Sequence, residues 1–233
     1  MTDAHVTLIT GGGSGIGAAV ARHLLDAGHR VAVTGRSERR LRDFAAGLGD
    51  PEGLLTIPGN AADYEQVKEA VETTVRRFGR LDTVVANAGF ATDSTVAEGD
   101  PAGWTEMVLT NVLGPALLVR ASIDALKETR GRIVLVGSVA GFVPTPGNVY
   151  GATKWAVTAL AENTRRQVTE WGVGVTLIAP GRVETPFWDE LGGLPPGHLL
   201  SADQIADSVV WAIRQPAGVD VNTVVVRPIG QPN

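Results

Sequence analysis

The sequence predicts an α/β protein: one doubly wound domain over residues 1–233, with a parallel sheet of about seven strands and helices on both faces. Three observations lead there. Short runs rich in Val, Ile, Leu and Thr recur along the chain, and nearly continuous apolar runs of this length suit strands covered on both faces. Segments with helical spacing of apolar residues alternate with those runs, which calls for right-handed crossovers. No low-complexity linker or repeat divides the chain.

In order, H-V-T-L-I-T (5–10) is the first strand, and a helical pattern runs from Ile16 to Ala27. R-V-A-V-T-G (30–35) and L-L-T-I-P (54–58) are the second and third strands, followed by a helix from Tyr64 to Phe78. D-T-V-V-A-N (82–87) precedes a long helical pattern from Trp104 to Lys127, and R-I-V-L-V-G-S (132–138) precedes another from Tyr150 to Trp171. V-G-V-T-L-I-A-P (173–180) is the sixth strand. After a loop-like stretch at 186–200 come a helix from Ala202 to Arg214 and a last strand, N-T-V-V-V-R-P (222–228).

A hydrophobic fraction of 44% and a charged fraction of 19% over 233 residues describe a chain able to bury a sizeable core. Net charge −5 and a pI near 5.4 argue against a general nucleic-acid or anionic-membrane binder. With no cysteine, disulfides, thiolate nucleophiles and cysteine-ligated metals are excluded. His5, His23, His29 and His198 are scattered without metal-ligand spacing, so no metal is expected. The N-terminal M-T-D-A-H-V-T-L-I-T lacks the basic and long apolar regions of a signal peptide, and no apolar stretch approaches membrane-spanning length. A soluble cytoplasmic protein is expected.

The first strand ends in T-G-G-G-S-G-I-G, Thr10 to Gly17, directly before a helix. Glycines at a strand-to-helix turn let the backbone approach a pyrophosphate, whose charge meets the helix amides. The spacing Gly11-x-x-x-Gly15-x-Gly17 is neither the G-x-G-x-x-G fingerprint nor a P-loop, and a tight turn without ligand would carry the same residues. Nucleotide choice is set at the end of the second strand, where an acid would hold a ribose hydroxyl. Here the chain reads T-G-R-S-E-R-R, so Arg36 stands at that place and no acid ends the strand. A guanidinium suits a 2′-phosphate, which favours NADP(H). Arg39 and Arg40 equally fit the start of a solvated helix.

In N-V-Y-G-A-T-K-W-A-V, Tyr150 and Lys154 stand four apart, one turn on one helix face. Their free pKa values of about 10 and 10.4 suit neither to proton transfer near neutrality. An ammonium beside a phenol lowers the phenol's pKa and makes it a workable general acid/base. A surface helix would carry the same pair without purpose.

Taken together, the glycine spacing, N-A-G at Asn87 to Gly89, L-T-N-V at Leu109 to Val112, V-G-S at Val136 to Ser138, Y-x-x-x-K and P-G-R-V-E-T at Pro180 to Thr185 resemble the short-chain dehydrogenase/reductase family over essentially the whole chain. The resemblance implies a Rossmann fold and a catalytic tetrad of Asn111, Ser138, Tyr150 and Lys154. Tyrosine exchanges a proton with a ketone, aldehyde or alcohol oxygen, and serine hydrogen-bonds that oxygen. Lysine binds the nicotinamide ribose and lowers the tyrosine pKa, while asparagine holds a water that links lysine to solvent. It also implies cofactor contacts from Thr10, Gly11, Gly13, Ser14, Gly15, Ile16, Gly17, Arg36, Asn60, Ala61, Asn87, Ala88, Gly89, Tyr150, Lys154, Pro180, Gly181, Val183 and Thr185. Individually, Ser138, Asn111 and Thr185 also fit purely structural hydrogen-bonding roles.

Three departures stand out. Ser138 and Tyr150 are 150 − 138 = 12 apart, one fewer than in most relatives; Asn60 replaces the aspartate that often borders adenine; and Ser14 replaces a basic residue of many NADP(H) members. Substrate would meet Ser138, Ala140, Tyr150, Phe187 and Trp188, under a lid at about 186–200 whose apolar residues equally suit plain packing. A small or medium hydrophobic carbonyl compound, or the matching alcohol, is the expected substrate. Small residues on two helices permit close packing, within the fold or between subunits, and the resemblance implies a homotetramer or homodimer formed through these helices and the last strand. Two other functions share the scaffold: halohydrin dehalogenation, which Lys154 and the glycine turn oppose, and nucleotide sensing without catalysis.

Overall fold

A computed structural model describes residues 4–92 and 95–232; Met1 to Asp3 of the strand-like N-terminal stretch lie outside the described residues. The chain alternates strands and helices: β1 (Val6–Thr10), α1 (Gly15–Asp26), β2 (Arg30–Gly35), α2 (Glu38–Gly47), β3 (Leu54–Pro58), α3 (Tyr64–Phe78) and β4 (Thr83–Ala86). Then come α4 (Pro101–Val108), a π-helical turn over Leu109–Leu113, α5 (Gly114–Thr129), β5 (Arg132–Val136), α6 (Val149–Val168) and β6 (Gly174–Pro180). A short pair β7 (Val183–Glu184) and β8 (Leu200–Ser201), then α7 (Ala202–Ile213) and β9 (Thr223–Val226), complete it.

Seven strands form one sheet in the order β3-β2-β1-β4-β5-β6-β9, and all its pairings are parallel. Side chains alternate between its faces, so Leu8, Val84, Ile133 and Leu177 pack with α3, α5 and α6 on one side. Ile9, Val85, Val134 and Ile178 pack with α1 and α7 on the other. Direction along the sheet reverses between β1 and β4, and there the carboxyl ends of the strands leave a crevice.

Every expected strand is present, and three features differ from expectation. The chain forms α2, which the sequence reading left out: its Ser37 N-cap accepts from the Arg40 amide, but it buries only Leu41 and so has almost no apolar stripe. The expected helix 104–127 begins earlier and is broken at Leu109–Leu113 by the π turn, which contains Asn111. Finally, Pro101–Thr129 does have the length and composition to cross a membrane, with a mean hydropathy of 1.3, contrary to the expectation. Met107, Leu118 and Leu126 of this stretch are fully buried in the fold, whereas Val108, Leu109 and Leu113 are exposed.

Candidate functional site at the carboxyl edge of the sheet

The glycine turn is shaped by what a Cβ would strike. Gly11 has φ +66°, and a Cβ there would lie 3.0 Å from the Ala88 Cα; one on Gly17 would lie 2.5 Å from the Gly11 carbonyl oxygen. Asn87 holds this close approach together: its Nδ2 donates to the carbonyls of Thr10 and Gly11 at 3.0 and 3.1 Å. The Thr10 hydroxyl, nearly buried, accepts from the amides of Asn87 and Ala88, both at 3.2 Å. Thus N-A-G is clamped to the turn across the switch point.

Helix α1 starts at Gly15 without a capping side-chain bond from Ser14 and without an acid in its first turn. Its leading amides are thus left uncapped by Ser14, at the positive end of the helix dipole. Ile16 and Gly17 carry that turn, and Gly13 lies against Leu41 of α2. Thr185 reaches the same place from the far end of the chain, 3.3 Å from where a Gly15 Cβ would stand. These residues fit the pyrophosphate of a dinucleotide: a glycine cradle and a helix start with no side-chain cap and no acid in its first turn.

At the ends of β2 and β3 stand Arg36, Asn60 and Ala61. Arg36 is exposed, with its guanidinium carbon 6.0 Å from the Phe90 ring centroid. Arg39 and Arg40 are exposed inside α2. One lone pair of the Asn60 side-chain oxygen is already engaged, because it accepts from the Ala62 amide at 3.0 Å. Pro180 and Gly181 end β6 beside β9, where the Gly181 amide donates to the Val226 carbonyl at 2.7 Å.

The other end of the crevice is built from side chains. Ser138 leaves β5 and caps a short 3₁₀ turn over Val139–Gly141, its Oγ accepting from the Ala140 amide at 3.1 Å, and its hydroxyl lies near enough to the Tyr150 phenol to favour the ionised form. Tyr150 lies in the first turn of α6, whose N-cap Asn148 accepts from the Gly151 amide. One turn on, Lys154 is 5% exposed; its Nζ donates to the Val136 carbonyl at 3.0 Å and stands 5.6 Å from the Tyr150 ring centroid. Gly89 faces them, since a Cβ there would sit 3.7 Å from Lys154 Nζ and 3.1 Å from Asn111 Oδ1. The tetrad residues and N-A-G thus meet at one end of the crevice.

The electrostatics run opposite to the sequence expectation. Burial pushes the Tyr150 hydroxyl up to about 12, against a smaller lowering by the Ser138 hydroxyl. Burial also pulls the Lys154 ammonium down to about 8. Desolvation penalises whichever form is charged, and it is the largest cause of both shifts. Asn111 is 1% exposed. Its carboxamide is engaged by protein: Oδ1 accepts from the Phe90 amide at 3.0 Å, and Nδ2 donates to the Phe90 carbonyl at 2.9 Å and the Thr153 hydroxyl at 3.1 Å. The sequence reading missed Phe90 and Thr153; an aromatic after N-A-G and a threonine before the lysine give no periodic signal.

Phe187 packs on Tyr150 with ring centroids 5.6 Å apart, and Trp188 packs edge-on to Phe187 at 5.3 Å. The Trp188 indole N–H donates to the Val183 carbonyl at 2.7 Å, which ties residues 186–191 down. Among the described residues no cluster of His, Asp and Glu could hold a metal ion.

A doubly wound parallel sheet whose crevice holds a glycine turn at one end and a serine, a tyrosine and a lysine at the other defines an oxidoreductase of the dinucleotide-binding class. The model of the short chain dehydrogenases matches residues 5–193, and the chain belongs to that family. An uncharacterised oxidoreductase of Staphylococcus epidermidis is 35% identical over 228 residues, covering 96% of this chain and 97% of the relative. The alcohol dehydrogenase of the archaeon Thermococcus sibiricus, solved with 5-hydroxy-NADP, is 32% identical, covers 97% of each chain and superposes with a TM-score of 0.87. The 3-ketoacyl-(acyl-carrier-protein) reductase of Brucella melitensis, solved with NADH, is 26% identical, covers 96% of each chain and gives a TM-score of 0.86. Nicotinamide dinucleotides of both kinds therefore occur among the structural neighbours.

Proposed function

We propose that this oxidoreductase reduces a ketone or aldehyde to an alcohol, reversibly, with NADP(H) preferred and Tyr150 as the general acid/base. The observation that carries the reading is the Tyr150 phenol set beside the Ser138 hydroxyl and one turn from a buried Lys154, in the crevice that the glycine turn opens. When bound, the nicotinamide supplies or takes up hydride at the substrate carbon. Ser138 and Tyr150 then face one substrate oxygen, Ser138 donating a hydrogen bond and Tyr150 delivering or withdrawing the proton. A phenol pushed up to about 12 holds its proton at neutral pH, which suits it to act as the acid of reduction. Lys154, pulled down to about 8, carries its charge near neutrality and loses it in mild alkali.

Thr10, Gly11, Gly13, Ser14, Gly15, Ile16 and Gly17 are the cofactor's pyrophosphate and ribose seat in this reading, with Asn87 to Gly89 beside it and Val183 and Thr185 toward the carboxamide. Arg36, exposed and facing Phe90, is the anchor for a 2′-phosphate. Phe187 and Trp188 supply an apolar wall beside the phenol, with 186–200 as the lid. A homotetramer accords with exposed large apolar side chains on two parts of the chain: Val108, Leu109, Leu113 and Trp155 in α4 to α6, and Trp211, Val219 and Val225 from α7 to β9. Light scattering should give about four times the 24.3 kDa chain mass, and a monomer would refute the assembly.

The test of function is purified protein mixed with NADPH or NADH and a panel of apolar ketones and aldehydes, followed by cofactor absorbance. Faster consumption of NADPH supports the reading. Binding of NADPH without consumption by any carbonyl compound would favour the nucleotide-sensing alternative.

A further inference from the structure

Three groups engage the Asn111 carboxamide, and one of them differs from the others. The Phe90 amide and carbonyl both come from the segment after β4, whereas the Thr153 hydroxyl comes from α6. Thr153 is 3% exposed, and its single hydroxyl proton goes to the Tyr150 carbonyl at 2.7 Å. Its oxygen is therefore left to accept from Asn111, so the donors and acceptors of this buried pair match. Back-bonding of a threonine to a carbonyl three residues earlier is common in helices and accounts for the bond to Tyr150. It does not account for the second bond, which spans 42 positions to the π turn.

We infer that Thr153 is a positioning residue for carbonyl reduction: its hydroxyl locks the first turn of α6 to Asn111, and so fixes where the Tyr150 phenol and Lys154 ammonium meet the substrate. The two bonds join the π turn, Asn111, Thr153 and Tyr150 into one buried chain beside Lys154. Without the hydroxyl, one N–H of an amide with 1% exposure loses its partner, and the amide or the turn of α6 must move to regain one. Displacement of the reacting groups by about 1 Å is enough to slow an enzyme about a hundredfold.

This inference rests on the carbonyl-reductase reading. Thr153→Val keeps the side-chain shape and removes both bonds, whereas Thr153→Ser keeps the hydroxyl and removes a methyl. The valine variant should lose roughly 10- to 100-fold in kcat with little change in KM for NADPH. In the alcohol-oxidation direction the midpoint of its pH–kcat rise should move to higher pH. Serine should restore most of kcat and the wild-type midpoint, even with a lower Tm. If valine does not fold, Thr153→Ala against Thr153→Ser makes the same comparison. A valine or alanine variant with wild-type kcat and pH profile overturns the role. So does a serine variant that loses as much kcat as the hydroxyl-free one, because packing would then explain the loss. Tyr150→Phe separates the two levels: if it stays active, the reductase reading fails, and if it is inactive while Thr153→Val is normal, only the present inference fails.

Discussion

The two ends of the crevice solve opposite problems. At the glycine turn the chain uses almost no side chains: a Cβ on Gly11 or Gly17 would strike backbone, and the anion seat is made of amides. At the Tyr150 end it buries ionisable side chains, with Lys154 5% exposed beside a phenol pushed up to about 12. The first end is specified by shape and has nothing to titrate. The second carries a desolvation cost that packing around it must offset. Substitutions at the turn should therefore damage folding and cofactor binding together, whereas those around Tyr150 should separate stability from rate.

The largest effect should come from Gly17→Ala. Its new methyl would overlap the Gly11 carbonyl oxygen at 2.5 Å and the Asn87 amide nitrogen at 2.6 Å. Overpacking of this kind costs about 1–3 kcal/mol. A lower Tm with NADPH binding reduced beyond detection by titration is expected, and an unaltered Tm with normal binding would break the shape argument.

Lys154→Met should act the other way. Replacing a buried ammonium by an apolar chain of similar length should leave Tm unchanged or raised at neutral pH while kcat falls about 10²-fold or more. A parallel fall in Tm would erase the contrast between the two ends. Next in size is Arg36→Ala. Loss of a charge-assisted hydrogen bond, at about 1.5–3 kcal/mol, should raise KM for NADPH about 10- to 150-fold and leave NADH nearly unchanged. Equal effects on both would remove Arg36 from nucleotide choice.

Stability should also depend on pH. Lys154 has its folded value at about 8, below the ordinary 10.5, so folding is penalised while the unfolded chain holds that proton more tightly. The penalty is complete below about 8 and is relieved as pH rises to 10.5, which gives a positive slope in that window. Tyr150, raised from 10.0 to about 12, withdraws stability as pH climbs between those values. Melting curves from pH 8 upward should show the lysine rise in the wild type and a flatter profile in Lys154→Met.

The same contrast governs what could be read in the sequence. The strands were legible because strands covered on both faces become continuous apolar runs, such as V-G-V-T-L-I-A-P. Helix α2 was not, because one buried leucine in ten residues makes no stripe. The break at Leu109–Leu113 was hidden because a π turn changes backbone register within an unbroken apolar stretch. Local motifs gave the placement of Tyr150, Lys154, Ser138 and the glycines, whose spacing along the chain encodes geometry directly. The direction of the tyrosine shift did not follow from that spacing: four residues on a helix fix proximity, while burial depends on α6, β5 and Phe187 together. Asn111's partners, Phe90 and Thr153, are joined across the fold and leave no mark on local pattern.

The proton-transfer role of Tyr150 is tested most directly by Tyr150→Phe, with NADPH affinity measured by fluorescence titration and turnover measured on a carbonyl compound that the wild type reduces. Phenylalanine keeps the ring on Phe187 and removes only the hydroxyl. The expected result is unchanged NADPH binding with kcat lowered by about 10²–10⁴-fold. Wild-type turnover by that variant would contradict the mechanism.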